Sequence, residues 1–537
     1  MIGGMIAGLG RYFRAPARPT ARALVLAAAL GAGVAAGQAP LGWWFVALPA
    51  LAGLIAWVLP VQGAGAPSAA QAAWAGWAAG FGYALAAMFW IVEPFLVDPW
   101  AHGWMAPFAL VLMAAGMGVF WALGTGLGAA LAHRPVARAL GIAAGLALSD
   151  LLRSYLFTGF PWVLLGHVWV GTPVAQAAAV VGPVGLSLVT ALLGAGLALA
   201  WPGAGAGRAV LRRMGPPVLA LVALAGLWAG GAARLAAPEP ARDAPVRLRL
   251  VQPNAPQHLK WHPDYRLDYF YRHLDLTAAP GDAPADLVIW PETAVPFLLD
   301  RPGDGLAMIA GAAGGVPVAL GVQRAEGLRY FNSLAVIGAD ARPGAVYDKF
   351  HLVPFGEYIP FGDALARLGL RAFAAQEGNG YTPGPGARVL DLGPLGRVQP
   401  LICYEAVFPQ DLRAAPERPD WLMQVTNDAW FGNLSGPWQH LAQARLRAIE
   451  TGLPLARAAN TGVSAVIDGR GRVVAALGLD QAGVVDAELP AALPVTPYWI
   501  WGDGPVAGAI LALVAGLALH GRRARRSKAI DPRGGAV

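Results

Sequence analysis

Long apolar runs separated by short polar breaks fill the chain from about Leu24 to Ala236, and then the pattern changes. A helix needs roughly 20 apolar residues to cross about 30 Å of hydrocarbon. Runs of that kind fall near residues 22–37, 42–60, 70–92, 104–132, 137–157, 173–201 and 216–236, with an eighth near 504–520. The first run is short. Arg14, Arg18 and Arg22 before it, and the small residues Gly33 to Ala36 after it, also fit a secretory signal peptide. The second run follows almost at once, which favours a membrane span. The pattern predicts an eight-span polytopic α-helical bundle with one long polar interval before its last span.

Inside that interval the period shortens. Val246–Val251, Asp286–Trp290, Val316–Val322, Phe331–Ile337, Arg397–Cys403, Trp421–Thr426, Leu455–Ala459 and Val463–Asp468 read as strands. Gly469-Arg470-Gly471 reads as a hairpin turn to Val473. Helices are predicted near 263–277, 303–313 and over Gln439–Glu450, the last with Arg445 and Arg447 exposed. Alternating strands and helices predict an α/β layered domain, and about 260 residues suffice to bury a full core. The expected organisation is a seven-helix membrane domain over 1–236, a catalytic domain over 237–500, and a last span with a basic tail over 501–537.

Composition narrows the class. Hydrophobic residues make up 56% of the 537 and charged residues 13%, about half the charge of an average soluble domain. Mean hydropathy is +0.49. A wholly soluble enzyme, a disordered regulator and a disulfide-stapled secreted domain are excluded. The formal charge of +7 is not arranged for nucleic acid, because the basic residues cluster beside apolar runs. One Cys, Cys403, permits no internal disulfide.

Those clusters predict the topology. Arg11, Arg14, Arg18 and Arg22 precede the first span, and Arg134 and Arg138 lie between the fourth and fifth. Arg208, Arg212 and Arg213 lie between the sixth and seventh, and Arg522, Arg523, Arg525, Arg526 and Lys528 follow the eighth. An even number of spans separates each cluster from the next, so all four fall on the cytoplasmic side and 237–500 on the other. Asp150 and Arg153, three apart near the end of the fifth span, read as an ion pair that neutralises itself, or as a headgroup or helix contact. Phe160-Pro161-Trp162 reads as an interfacial aromatic anchor.

Three polar residues stand at or near strand ends: Glu292 after Leu287–Pro291, Lys349 in Tyr347–His351, and Cys403 after Pro400–Ile402. Strand ends aim side chains into a shared crevice. A thiol, a carboxylate and an ammonium form a self-consistent nucleophilic set: the thiolate attacks, the carboxylate moves the proton, the ammonium stabilises negative charge. Spacing alone does not join them. A lone Cys is commonly a buried hydrophobe, and Glu292 after a Pro also fits a helix cap. His351 and His440 stand singly and read as structural.

The residues around these three resemble the signatures of the nitrilase superfamily: Trp290-Pro291-Glu292-Thr293, the run Tyr347 to Tyr358, and Ile402-Cys403-Tyr404-Glu405. Thr426 to Gly432, Gly436 to His440 and Arg457 to Ser464 narrow the likeness to its membrane-bound branch, the apolipoprotein N-acyltransferases. The resemblance covers nearly the whole chain. It implies a nitrilase-like αββα sandwich joined to the membrane bundle. Glu292 would be the general base, Lys349 the oxyanion stabiliser and Cys403 the acylated nucleophile. Glu357 would position Lys349 or the incoming amine. The Tyr404 backbone N–H would complete the oxyanion hole, Glu405 would support the site, and Trp261 would contact substrate.

The implied reaction moves a phospholipid acyl chain, typically from phosphatidylethanolamine, to the α-amine of a diacylglyceryl apolipoprotein. It is expected at the bacterial inner membrane, with the catalytic domain in the periplasm and both termini cytoplasmic. No metal, cofactor or nucleic acid is implied. A membrane-tethered nitrilase-type amidohydrolase is the alternative, and a transporter with an external binding domain a more distant one. Val353 to Phe373, rich in aromatic and leucine residues after the Lys349 motif, is expected to dip into the interface and admit the acyl chain.

Overall fold

The computed structural model describes residues 19–60, 66–200, 210–242, 244–360 and 380–530, with the side chains of 210–213 and 522–530 left undescribed. Most of the expected access segment, and Arg11, Arg14, Arg18 and Arg208 of the basic clusters, lie outside the described residues. The chain divides into two compact units. One contains residues up to Phe89, Pro107–Ala236 and the chain from Trp501; the other contains Ala237–Ile500 together with Trp90–Ala106. That short insert is an exception to the expected boundary at 236.

The first unit is helical. Its elements are α1 (Ala21–Ala35), α2 (Trp44–Trp57), α3 (Ala69–Ala87), α4 (Ala106–Leu131), α5 (Pro135–Tyr155), α6 (Ala178–Ala198), α7 (Val210–Ala236) and α11 (Gly504–Ile530). All eight predicted runs are therefore helical. Among the described residues, five helices are long and apolar enough to cross a membrane, and a sixth counts if Ala69–Ala87 is joined to Phe89–Leu96 across a 67° bend. α1 and α2 are shorter apolar helices.

α1 starts at Thr20, whose hydroxyl accepts from Ala23 N, and α3 starts in a capping box between Ser68 and Gln71. The two helices touch through small residues. A Cβ on Gly31 would lie 1.8 Å from the Ala79 carbonyl oxygen, so only glycine lets the backbones come this close. With Ala27, Gly31, Val34 and Ala35 buried, the first run is a packed member of the helical unit. Val25, Phe108, Leu112, Leu219 and Val222 face outward, as lipid-facing positions do.

Two sequence expectations need correction here. Arg138 is not a loop residue: it is buried in the first turn of α5, donating through Nε to the Val58 carbonyl at 2.7 Å and through Nη2 to Pro67 at 2.5 Å. Trp162 is no exposed anchor either. It is buried, stacks on Phe160, and its carbonyl accepts from Arg153. The local geometry draws the aromatic pair inward because Arg153 gathers the carbonyls of this irregular stretch.

The second unit is a two-sheet sandwich. Its strands are β1 (Arg247–Gln252), β2 (Leu287–Ile289), β3 (Val318–Glu326), β4 (Arg329–Ile337), β5 (Pro343–Asp348), β6 (Leu390–Asp391), β7 (Arg397–Ile402), β8 (Trp421–Thr426), β9 (Leu455–Ala459), β10 (Ser464–Ile467), β11 (Val473–Leu477) and β12 (Gly483–Glu488). One sheet has the order β12-β1-β2-β3-β4-β5, the other β11-β10-β9-β8-β7-β6. β1, β2 and β3 run parallel, as do β7, β8 and β9. Parallel neighbours require crossovers, and α8 (Arg266–Ala278), α9 (Gly305–Ala312) and α10 (Gly436–Thr451) supply three of them.

Alternation along the strands explains the layers. Leu248, Leu250, Ile289, Leu334 and Tyr347 of one sheet meet Val398, Ile402, Met423, Val425 and Val466 of the other. Val288, Val318 and Leu320 turn outward against Phe270 and Leu274 of α8 and Ile309 of α9. Leu422, Leu455 and Ile467 turn outward against Leu441, Ala444 and Ala448 of α10. This is the expected αββα sandwich. A register slip of one residue would send each inner set to the wrong face.

Candidate active site

Glu292, Lys349 and Cys403 lie 57 and 54 residues apart, and the sandwich brings them together at the ends of β2, β5 and β7. Glu292 follows β2 and is buried. Its Oε1 accepts from Asn332 Nδ2 at 2.7 Å and its Oε2 from the Asn427 backbone at 2.9 Å. Its own carbonyl accepts from Lys260 Nζ at 3.1 Å. Thr293, next in the chain, has φ of 47°. A Cβ on Gly321 of β3 would lie 2.5 Å from the Glu292 Cα, so a glycine there makes room for this turn.

Lys349 leaves β5 with its side chain 1% exposed. Its Nζ lies 2.8 Å from Glu357 Oε1 and 3.6 Å from Glu292 Oε1. Asn332 Nδ2 donates to both carboxylates, reaching Glu357 at 3.0 Å. The other Glu357 oxygen accepts from Val353 N at 2.8 Å. One ammonium and one amide thus hold two carboxylates in a buried space. Burial opposes the charge on Lys349, but Glu357 and Glu292 outweigh it and raise the pKa above the ordinary lysine value. Lys349 is a fixed cation.

Cys403 ends β7 with φ of 50°. For a residue with a Cβ this conformation costs about 1–3 kcal/mol and is held by its surroundings. The thiol is buried, and burial first, then Glu292, push its pKa up, while Lys349 and a hydrogen bond with Thr426 pull it down. The net direction is up, so the resting group is a neutral thiol that needs a base. Among the carboxylates, Glu292 acts on it most strongly, ahead of Asp428.

The other predicted residues surround this centre. Glu405 is fully buried and ties two sheet ends together. Its Oε1 accepts from Tyr347 Oη and Phe350 N, each at 2.8 Å, and its Oε2 from Ile402 N at 2.7 Å. Burial pushes its pKa up to about 7 against the lowering effect of those donors. Tyr404 is buried edge-on to His351 and Phe408. Trp261 is half-buried and lies beneath the Lys260 ammonium, 5.3 Å from Nζ to the ring centroid.

Sequence reasoning missed Lys260 and Asn332 here. Lys260 is buried, bonded to Glu292 O and Thr293 Oγ1, and burial lowers its pKa to about 8 despite Glu292 and Cys403. The signal was available, since the chain has only three lysines. Asn332 is a buried polar residue in the middle of an apolar strand, which is another readable signal. His351 pairs with Asp411 at 2.6 Å and stacks on Phe408. His440 is buried with Nδ1 2.9 Å from Asp428 Oδ1 and Nε2 3.1 Å from the Cys403 carbonyl oxygen. Arg447, expected exposed, is buried against Glu450 at 2.6 Å and donates to Val407 O. Among the described residues no group of three or more His, Cys, Asp or Glu side chains is placed to hold a metal ion.

Comparison with known proteins adds family evidence. Residues 247–494 match the Carbon-nitrogen hydrolase family, and residues 30–196 match the Apolipoprotein N-acyltransferase N-terminal domain. A protein of Rhodopseudomonas palustris named apolipoprotein N-acyltransferase is 38% identical over 517 residues, covering 93% of this chain and 95% of its own. One of the same name from Caulobacter vibrioides is 41% identical over 460 residues, covering 83% and 84%. Among solved structures, an amidase from Nesterenkonia sp. is 19% identical and covers 50% of this chain and 97% of its own, with a TM-score of 0.35, too loose a likeness to bear on activity.

Proposed function

The chain belongs to the apolipoprotein N-acyltransferase family, and we propose that it carries a fatty acyl chain from phosphatidylethanolamine to the α-amine of an S-diacylglyceryl-cysteine through a thioester on Cys403. It is a membrane-embedded acyltransferase of lipoprotein maturation. The observation that carries the residue assignment is the buried Glu292–Lys349–Glu357 cluster beside a backbone-strained Cys403.

In the first half-reaction Glu292 takes the thiol proton and the sulfur attacks the sn-1 ester carbonyl. Lys349 and the Tyr404 backbone N–H stabilise the oxyanion. The C–O bond breaks, Glu292 returns the proton to the departing glycerol oxygen, and a lysophospholipid leaves. In the second half-reaction the α-amine attacks the thioester, Glu292 takes its proton, and the sulfur departs and is reprotonated. Glu357 positions Lys349 or the incoming amine, Glu405 ties the ends of β5 and β7, and Trp261 contacts substrate.

Both substrates are lipid-anchored, so the setting follows from the chemistry. The eight apolar helices serve as eight spans of the bacterial inner membrane. Residues 237–500 work in the periplasm, and both termini lie in the cytoplasm. Reporter fusions test this: one after Arg208 reads cytoplasmic and one near Asn379 reads periplasmic, and the reverse pattern overturns the layout.

Intact-protein mass spectrometry after mixing with phosphatidylethanolamine tests the chemistry. One acyl chain on Cys403, discharged by a diacylglyceryl peptide with N-acylation, supports it. Hydrolysis of small amides without N-acylated peptide points instead to an amidohydrolase.

A further inference from the structure

The Cys403 carbonyl is held from behind by a polar group that the reaction above does not use. Gln424 on β8 is fully buried, and its Nε2 lies 3.3 Å from Cys403 O and 3.0 Å from His440 Nε2. Those two partners are themselves 3.1 Å apart. His440 Nδ1 lies 2.9 Å from Asp428 Oδ1. Asp428 accepts from Thr426 Oγ1 at 2.9 Å and is paired through its other oxygen with Arg457. His440, Asp428, Arg457, Gln424 and Thr426 are all 0% exposed.

The hydrogen-bond arithmetic fixes the roles. Asp428 is a carboxylate and accepts only, so His440 Nδ1 carries the hydrogen. Burial and the neighbouring Arg457 pull the His440 pKa down, with Asp428 and the Cys403 carbonyl opposing, so the ring is neutral and Nε2 is a lone pair. That lone pair and the Cys403 oxygen are two acceptors facing each other. The Gln424 amide nitrogen lies within reach of both and is the donor between them.

We propose that Gln424 and His440, braced by Asp428, are positioning residues for the acyl transfer, holding the Cys403 carbonyl so that the residue stays in the left-handed conformation that aims its sulfur. The inference rests on Cys403 being the acylated nucleophile. It explains why polar side chains fill the space behind a strand end whose neighbours are apolar.

The two positions respond differently to pH. In Gln424→Met the two acceptors face each other with nothing between them. Protonating His440 then supplies an Nε2–H to the Cys403 carbonyl. The groups facing the ring are Asp428 and Arg457, already paired with each other, the Cys403 carbonyl and the Gln424 amide. Acid therefore restores the missing donor in this variant and does nothing comparable in the parent protein.

The experiment is single-turnover acylation on phosphatidylethanolamine vesicles, with rates divided by the amount of Cys403 that a thiol reagent titrates in the unfolded protein. Gln424→Met and His440→Phe should each acylate at least tenfold slower at pH 8, with the KM for phospholipid within twofold of the parent. The ratio of the Gln424→Met rate to the parent rate should rise at least threefold from pH 8 to pH 5, below the ordinary imidazole range, and the His440→Phe ratio should stay flat. Rates within twofold of the parent, or a flat Gln424→Met ratio, overturn the inference. Should His440→Phe fail to fold, the Gln424→Met profile decides alone, and should that variant fail as well, Gln424→Glu, which cannot donate when ionised, must show the same acid recovery. If the parent protein itself forms no adduct on Cys403, the failure lies with the proposed reaction rather than with this inference.

Discussion

Both units bury charge, and they use it differently. In the helical unit, Asp150 and Arg153 pair at 3.1 Å with 1% and 3% of their side chains exposed. Arg153 gives its remaining donors to the carbonyls of Phe160, Trp162 and Val163, and Asp150 accepts from Leu165 N. One positive and one negative charge cancel, and their capacity is spent on an irregular stretch of backbone that lipid could not satisfy. In the sandwich, Lys349 faces two carboxylates, and a neutral thiol stands beside them. The first arrangement is closed on backbone; in the second, Lys260, its pKa lowered to about 8, adds another cation behind Glu292, and the charges stand beside a nucleophile. A buried pair whose capacity is spent on backbone is architecture, and one held beside a thiol is placed for chemistry.

The strongest test removes the group that those charges face. Cys403→Ala should abolish transfer, and Cys403→Ser should leave almost none, since an alkoxide is far harder to form than a thiolate. N-acylated peptide is the readout, and the yield of folded protein should stay near that of the parent. Full activity after stoichiometric alkylation of this only cysteine would sink the assignment.

The same logic predicts the opposite signature in the helical unit. Arg153→Leu strands a buried carboxylate and opens three carbonyls, a loss of about 3–5 kcal/mol. Protein recovered from membranes should fall several-fold, while the rate per titratable Cys403 in the surviving fraction stays within about twofold. A low rate with normal yield would mean that the Asp150–Arg153 pair takes part in chemistry. Glu357→Gln sits between the extremes. It keeps the shape but removes half of the charge facing Lys349, so kcat should fall about a hundredfold, comparable with losing one electrostatic contact at a transition state.

How much of this contrast the sequence displays depends on how local the partner is. Trp421–Thr426 and Leu455–Ala459 are strands over the residues the alternation marks. Asp150 and Arg153 are one helical turn apart, so their pairing is visible by counting. Asn332 finds Glu292 across 40 residues and His440 finds Cys403 across 37, and no periodicity encodes either meeting. β12 was missed because Gly483–Glu488 is half-exposed and ambiguous alone. It becomes a strand by pairing with β1, where Arg249 meets Asp486 at 2.7 Å. Arg447 was misplaced for a related reason. Glu450 was visible one turn away, but the carbonyl of Val407 that makes burial tolerable comes from the turn after Cys403.

The smallest expected effect concerns acid. Asp428 is fully buried, and although burial raises its pKa, Arg457 and His440 lower it further, to about 2. A carboxylate whose folded pKa lies below its unfolded value of 3.8 binds fewer protons when folded. Its contribution is complete above about pH 4 and is lost as pH falls toward 2, roughly 2 kcal/mol over that window. Asp428→Asn cannot titrate, so the variant's stability should vary less with pH between 4 and 2 than the parent's, whatever its absolute loss from leaving Arg457 unpaired. Denaturant midpoints of the detergent-solubilised protein at pH 4, 3 and 2 measure the difference. Equal slopes would place the acid sensitivity on other carboxylates, and would remove the evidence that the Asp428–Arg457 pair is as fully neutralised as Asp150–Arg153.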